Sequence, residues 1–302
     1  MSSALSSTLR LFKQAILRFS SQILYHAHTA ALFTVSDLKT IFFPITAFAC
    51  AAGPLHSPAR LPLACAWIWL HQLMCNVSNQ ASGRAEDAVN KPWRPLPAGR
   101  LTECEAAALR WVVVALCMAL SAALGSDMWA PTLGLFLTTF VYDEMNFAGH
   151  VIGKNLCNIG GYATFEIGAT KLMTSSYTLD PTSIKAVCLS GLLIFTTIQA
   201  QDFADVAGDA ALGRVTFPIY APELSRFFTL FAMTVWSCFL AWFWGIGPGC
   251  SGLFIALGVL VGVRFYVWRS EREDKRSYMW FNVWLTLAHT LPLNARMGAF
   301  TL

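Results

Sequence analysis

Three carboxylates, Asp202, Asp205 and Asp209, stand three and four residues apart in "QDFADVAGDAALGRVTFP", which runs from Gln201 to Pro218. On a helix that spacing sets all three along one face, where like charges repel by a few tenths of a kcal/mol per pair. The repulsion grows close to lipid. A positive partner among them resolves it. Oxygen donors with no histidine or thiol suit a hard cation, and Mg²⁺ in particular keeps part of its shell for water and substrate phosphate. Gly208 and Gly213 let the backbone approach a bulky anion, and Arg214 offers a phosphate contact.

A second acidic segment, "NQASGRAEDAVNKPWRPLP" from Asn79 to Pro97, supplies Asn79, Glu86 and Asp87, followed by Lys91 and Arg94. One helical turn separates Asp87 from Lys91, which puts a metal ligand and a phosphate-pairing cation on the same side. Carboxylates for a metal and cations for a diphosphate are the parts needed to ionise a diphosphate ester. Either segment alone reads equally well as a solvated loop at a helix mouth. Two of them on one side of a membrane, one with three acids on a single face, favour a site.

The elements that must hold these residues are apolar. The chain has 302 residues, 56% hydrophobic and 13% charged, against about 25% charged in soluble domains. Runs of ~20 apolar residues recur, each able to satisfy its own backbone in lipid as a helix. Nine spans are expected, near 36–53, 61–79, 103–125, 128–146, 154–173, 182–202, 222–246, 249–268 and 278–298. With the N-terminus cytosolic, every one of the 21 Lys and Arg except Arg60, Lys171, Lys185 and Arg296 falls on the cytosolic side, as positive-inside topology requires. Both acidic segments fall there too, four helices apart, which implies a weak internal repeat facing itself across a cavity. Residues 1–33 form an interfacial segment and 34–302 one transmembrane domain. Within the former, residues 6–25 carry Arg10, Lys13 and Arg18 with apolar residues at helical spacing and no acid. That pattern suits a membrane-surface helix and also a mitochondrial presequence. The nine cysteines show no CxxC pairing, so neither a zinc site nor a disulfide framework is indicated.

The tail "NKPWRPLPAGRLT" and the motif "DFADVAGDAALGRVTFP" resemble the UbiA superfamily of intramembrane prenyltransferases, whose first motif is NDxxDxxxD followed by NKPxRPLPxG and whose second is DxxxD. The resemblance extends over nearly the whole chain. It implies an all-α polytopic fold of nine helices around a lipid-open cavity under a cytosolic cap, residence in the endoplasmic reticulum, and binding of Mg²⁺ and an isoprenyl diphosphate. Asn79, Glu86, Asp87, Asp202, Asp205 and Asp209 are then the expected metal ligands, and Lys91, Arg94, Lys154 and Arg214 the diphosphate contacts. Tyr142 is expected beside the diphosphate as well. Where the family has Asp at the second and middle positions of the first motif, this chain has Gln80 and Gly83. That alteration resembles a fungal branch containing membrane-bound sesquiterpene cyclases.

Glu166 lies inside the fifth expected span, where an ionisable group costs about 2.5–3.5 kcal/mol on insertion scales. It reads either as a cavity-facing acid that accepts a proton or as a paired packing residue. His71 and His150 are isolated and receive no role, and "RSEREDKRS" from Arg269 reads as a solvated loop with helix ion pairs. The expected activity is ionisation of farnesyl diphosphate and cyclisation to a sesquiterpene. Transfer of the prenyl group to an aromatic or other acceptor is the alternative, and an ion-coupled transporter or lipid-binding protein a third reading. Basic residues follow membrane topology, so nucleic-acid binding is not expected, nor is an obligate protein partner.

Overall fold

The structure, a computed structural model, describes residues 2–54, 56–211 and 213–302, with side chains from Phe12 onward. Arg10 of the basic N-terminal segment therefore lies outside the described side chains. All regular structure among the described residues is helical. Helix α1 (Ser2–Thr34) leads through a 3₁₀ turn (Val35–Asp37) and a π segment (Leu38–Phe42) into α2 (Phe43–Ala52). There follow α3 (Arg60–Ser82), α4 (Arg84–Asn90), α5 (Glu103–Leu124), α6 (Trp129–Asp143), α7 (Val151–Met173) and α8 (Pro181–Thr197). A 3₁₀ segment (Ile198–Ala204) precedes α9 (Val206–Ala211) and α10 (Phe217–Tyr220). The chain ends with α11 (Pro222–Phe243), α12 (Pro248–Val267), α13 (Glu271–Thr290) and α14 (Pro292–Met297).

Local chemistry sets these boundaries. Thr102 caps α5 in a reciprocal box with Glu105, Asp180 accepts from the Ser183 N–H at the start of α8, and Ser270 does the same for Glu273 in α13. Each satisfies amide donors that a helix start leaves open. Prolines open α8, α11, α12 and α14, where their missing N–H costs nothing. Five helical stretches are long and apolar enough to cross a membrane: Phe12–Ala52, Glu103–Leu124, Pro181–Ala204, Pro222–Phe243 and Pro248–Val267. The other expected spans coincide with α6, which is only 15 residues long, and with helices carrying more polar side chains inward, as on α3, where His71, Gln72, Asn76 and Gln80 are all buried.

Helix α7 is central, packing on α2, α3, α6 and α8, while α11 packs along α12 and α13 along α2. Small residues permit the close approaches expected of helices in lipid. A Cβ at Gly168 of α7 would meet the Trp67 ring at 2.3 Å, and one at Gly258 of α12 would meet Ser237 Oγ of α11 at 1.9 Å. Large apolar side chains such as Trp111, Leu137, Trp242 and Leu253 face outward, where hydrocarbon replaces water as solvent. Phe12, Ile16, Phe19 and Ile23 of α1 are likewise exposed.

The break between α1 and α2 has a definite cause. Pro44 has no N–H to give the Thr40 carbonyl one turn back, and the Tyr162 hydroxyl donates to that oxygen instead at 2.5 Å. At the end of α1, Asn76 and Gln80 both donate to the Phe33 carbonyl and Gln72 to that of Thr34, each at 2.9 Å. Three amides spaced by four residues on one face of α3 thus satisfy the backbone that the break exposes.

Candidate active site

The break opens one side of a cavity of about 1160 Å³, bounded also by α3, α6, α7, the second acidic segment and the start of α13. Its mouth holds Lys39, Asn79, Lys91, Asp143 and Asp205. At 1.5 Å per residue, Leu135 lies about 12 Å down α6 from Asp143, and there the walls turn apolar with Ile45, Tyr162, Phe165 and Ile198. Asn76, Thr138, Thr139 and Asn158 line the zone between. The cavity therefore offers a charged mouth and an apolar interior, the division a diphosphate ester of a hydrocarbon would need.

The second acidic segment departs from the expected single helical face. Helix α8 ends at Thr197, Asp202 lies in the 3₁₀ segment, Asp205 at the break after it, and Asp209 in short α9. The physical reason is Lys154, buried on α7, whose Nζ donates to Asp202 Oδ1 at 2.6 Å and lies 3.8 Å from Asp209 Oδ2. Asp202 and Asp209 turn inward onto this one cation, leaving Asp205 to the cavity. Burial raises the Asp205 carboxyl above the usual carboxylate range, with Lys91 and Lys154 pulling it back.

The two acidic segments meet. A Cβ on Gly208 would come within 2.4 Å of Asn90 Nδ2, so glycine brings α9 against α4, and Arg214 bonds both Glu86 and Asp209. In the first segment, Arg94 binds Asp87 through both carboxylate oxygens at 2.8 and 3.0 Å and also donates to Ser36 Oγ at 2.9 Å. Only 4% of Arg94 is exposed. It fastens α4 to the turn before α2, while Lys91, one turn from Asp87, lines the cavity. Burial pushes the Asp87 carboxyl up, with Arg94 the main opposing influence.

Of the expected site residues, Asn79, Lys91, Tyr142 and Asp205 line the cavity. Glu86, Asp87, Asp202 and Asp209 are engaged by Arg214, Arg94 and Lys154. Glu166 is enclosed among Ser190, which donates to it, and His289, whose Nε2 lies 3.5 Å away. Its immediate neighbour Phe165 faces the cavity instead. His71 stacks on Trp67 and bonds Thr132, a packing role. The run from Arg269 keeps ion pairs such as Lys275 with Glu271, yet it begins α13, and Arg272, Lys275 and Arg276 line the cavity rim rather than a free loop. Lys39 and Asp143 were not among the expected site residues. Lys39 stands inside an apolar run, which marks an intramembrane ionisable group as functional. Asp143 stands near the end of the expected 128–146 span, beside Tyr142, and carries the same kind of signal.

No group of three or more His, Cys, Asp or Glu side chains is arranged around a metal position among the described residues. The donor set is nevertheless all oxygen. Asp209 Oδ2 accepts no hydrogen bond among the described residues, its nearest cation being Lys154 at 3.8 Å, and Asp205 faces the cavity with no ion pair among the described residues. Such oxygens fit a hard divalent cation.

A second cavity of about 610 Å³ is lined by residues that include Glu86, His150, Arg214 and Tyr220. The Val215 N–H bonds the Gly149 carbonyl at 3.1 Å, stitching the α6–α7 connection to the second acidic segment.

The chain is similar to several known proteins over most of its length. Fumagillin beta-trans-bergamotene synthase of Aspergillus fumigatus is 29% identical over 270 residues, covering 89% of this chain and 93% of that protein. A polyprenyl transferase of Hericium erinaceus is 28% identical over 255 residues, covering 83% of each. A UbiA homologue from Archaeoglobus fulgidus, solved with GPP and Mg²⁺ bound, superposes with a TM-score of 0.62 at 12% identity, over 88% of this chain and 99% of that one. The UbiA prenyltransferase family model matches residues 40–285. With that match spanning both acidic segments and the helices that hold them, the chain belongs to the UbiA prenyltransferase family of integral membrane enzymes.

Proposed function

We propose that this protein is a Mg²⁺-dependent terpene cyclase that ionises farnesyl diphosphate and closes the resulting cation on its own distal double bond. The observation carrying this reading is a single cavity with Lys39, Lys91, Asn79 and Asp205 at its mouth and Ile45, Leu135 and Phe165 within. Similarity to a bergamotene synthase over most of both chains supports it, as does the Mg²⁺ bound by the Archaeoglobus homologue. Nine membrane-crossing helices under a cytosolic cap, in the endoplasmic reticulum, complete the proposal, with α1 lying on the membrane surface.

Asp205 and Asn79 would hold the metal at the mouth, with Asp209 supporting them through Lys154 and Arg214. Asp202, Asp87 and Glu86 would act with them through their arginine and lysine partners. When bound, Mg²⁺ neutralises charge developing on the leaving diphosphate. Lys91 and Lys39 bind its oxygens, and Tyr142 orients it. The C1–O bond breaks with both electrons leaving on diphosphate. The apolar interior excludes water and the Tyr162 and Phe165 faces stabilise the allylic cation. Ring closure follows, and a C–H proton passes to released diphosphate, because Glu166 is enclosed behind the cavity wall.

Transfer to an acceptor is the second reading. Similarity to a polyprenyl transferase supports it. Incubating membranes with farnesyl diphosphate and Mg²⁺ without acceptor, then analysing extracts by gas chromatography and mass spectrometry, separates the two. Cyclic sesquiterpene, absent after EDTA, is expected. A prenylated adduct formed only once aromatic acceptors are added would establish transfer instead.

A further inference from the structure

The first motif of this chain lacks two carboxylates, and the structure shows what has become of those positions. Gln80 has turned away from the cavity to cap the Phe33 carbonyl and is 1% exposed. Gly83 ends α3, donating its N–H to the Asn79 carbonyl at 2.8 Å. Neither can present an oxygen to the mouth. A different carboxylate has arrived there from α6. Asp143 lines the cavity, and its Oδ1 accepts a hydrogen bond from Asn79 Nδ2 at 3.2 Å.

Donor chemistry makes this contact directional. The Asn79 atom facing Asp143 is the amide nitrogen, which can only donate, so the carboxyl oxygen accepts. The amide oxygen then points away from Asp143, and among the described residues it accepts no hydrogen bond. Without Asp143 the amide could flip at little cost and offer N–H groups to the mouth, which repel a cation. The next residue, Glu144, is bonded by Arg110 of α5.

We infer that Asp143 is a positioning residue that fixes the Asn79 amide with its oxygen toward the cavity, restoring a hard-oxygen ligand that Gln80 and Gly83 no longer provide. Partners of this kind orient metal ligands, and losing one typically costs 10–100-fold in metal affinity. The inference rests on the Mg²⁺ reading above.

The test is thermal unfolding of the detergent-solubilised full chain as Mg²⁺ is titrated at fixed inorganic pyrophosphate, since a ligand bound to the folded state raises the melting temperature. Wild type, Asp143→Leu, Asn79→Ala and the double variant are compared. Asp143→Leu is expected to shift the Mg²⁺ midpoint upward by at least about tenfold. In the Asn79→Ala background the same substitution is expected to add almost nothing, because the two act as one unit. An unchanged midpoint in Asp143→Leu, or a full additional shift in the double variant, overturns the positioning role while leaving the Mg²⁺ reading intact. If wild type shows no Mg²⁺-dependent rise, the Mg²⁺ reading itself fails. Asp143→Asn guards against misfolding: its amide can meet Asn79 in either orientation, so an intermediate midpoint is expected, and a wild-type midpoint counts against the inference.

Discussion

At the level of single residues, the site divides cations paired with its own acids from cations that have no ion pair among the described residues. Arg94 and Lys154 are committed, whereas Lys39 and Lys91 face the cavity. Lys154→Met would leave Asp202 and Asp209 buried without their shared partner, a loss of the kind that costs about 3–5 kcal/mol. A large fall in melting temperature is therefore expected, together with inactivity. Asp205 has no such structural duty, so Asp205→Ala should cut turnover by about 100-fold or more, the scale of removing a key electrostatic contributor, while melting stays near wild type. Glu166→Gln is expected to retain turnover within a few-fold, because Ser190 and His289 enclose that carboxylate. A pronounced rate loss at unchanged stability would return Glu166 to the chemistry. These divisions were not legible in the sequence: residue types marked out two clusters of acids and cations, but which arginine clamps and which lysine waits depends on approach distances between distant helices.

At the level of elements, the apolar runs told where helices would lie, and the prolines and caps told where several would start. The bend between α1 and α2 was hidden, because its carbonyls are satisfied by Tyr162, Gln72, Asn76 and Gln80 from elsewhere in the chain. The three-acid face was legible as a cluster of charge but not as geometry, since buried Lys154 reorganises the segment into a 3₁₀ turn and a short helix. Gly208 is the hinge of this arrangement. A Gly208→Ala substitution would put a methyl 2.4 Å from Asn90 Nδ2, pushing α9 off α4. Reduced turnover with little change in the far-ultraviolet helical signal is expected, and wild-type kinetics would show that the two motifs need not touch.

At the level of the whole molecule, a second polar lock closes the end of the bundle opposite the charged mouth. Arg296 binds both oxygens of Asp180 at 2.9 and 3.0 Å and reaches the Ala52 carbonyl, tying α14, α8 and α2 together. Its guanidinium holds the Asp180 carboxyl down to about 2, from 3.8. A depressed carboxyl contributes stability that is present above its unfolded value and is lost as pH falls through the folded one. Acid melting curves of wild type and Arg296→Met should thus differ above about pH 4 and converge near pH 2. Constant separation through that window would assign the lock no electrostatic share. The family and membrane character of the molecule were legible from its tail motif and hydropathy. The pairing of Asp143 with Asn79 was not, because Asp143 acts from a helix the motif does not include.

On the proposed reading, this cavity ionises a prenyl diphosphate with no acceptor present. The most direct test of that reading is diphosphate release from farnesyl diphosphate in acceptor-free membranes, with and without Mg²⁺, quantified beside the hydrocarbon extracted from the same sample. Mg²⁺-dependent release matching cyclic product mole for mole, abolished in Asp205→Ala, is the expected result. Release no greater than that of membranes lacking the protein would contradict it.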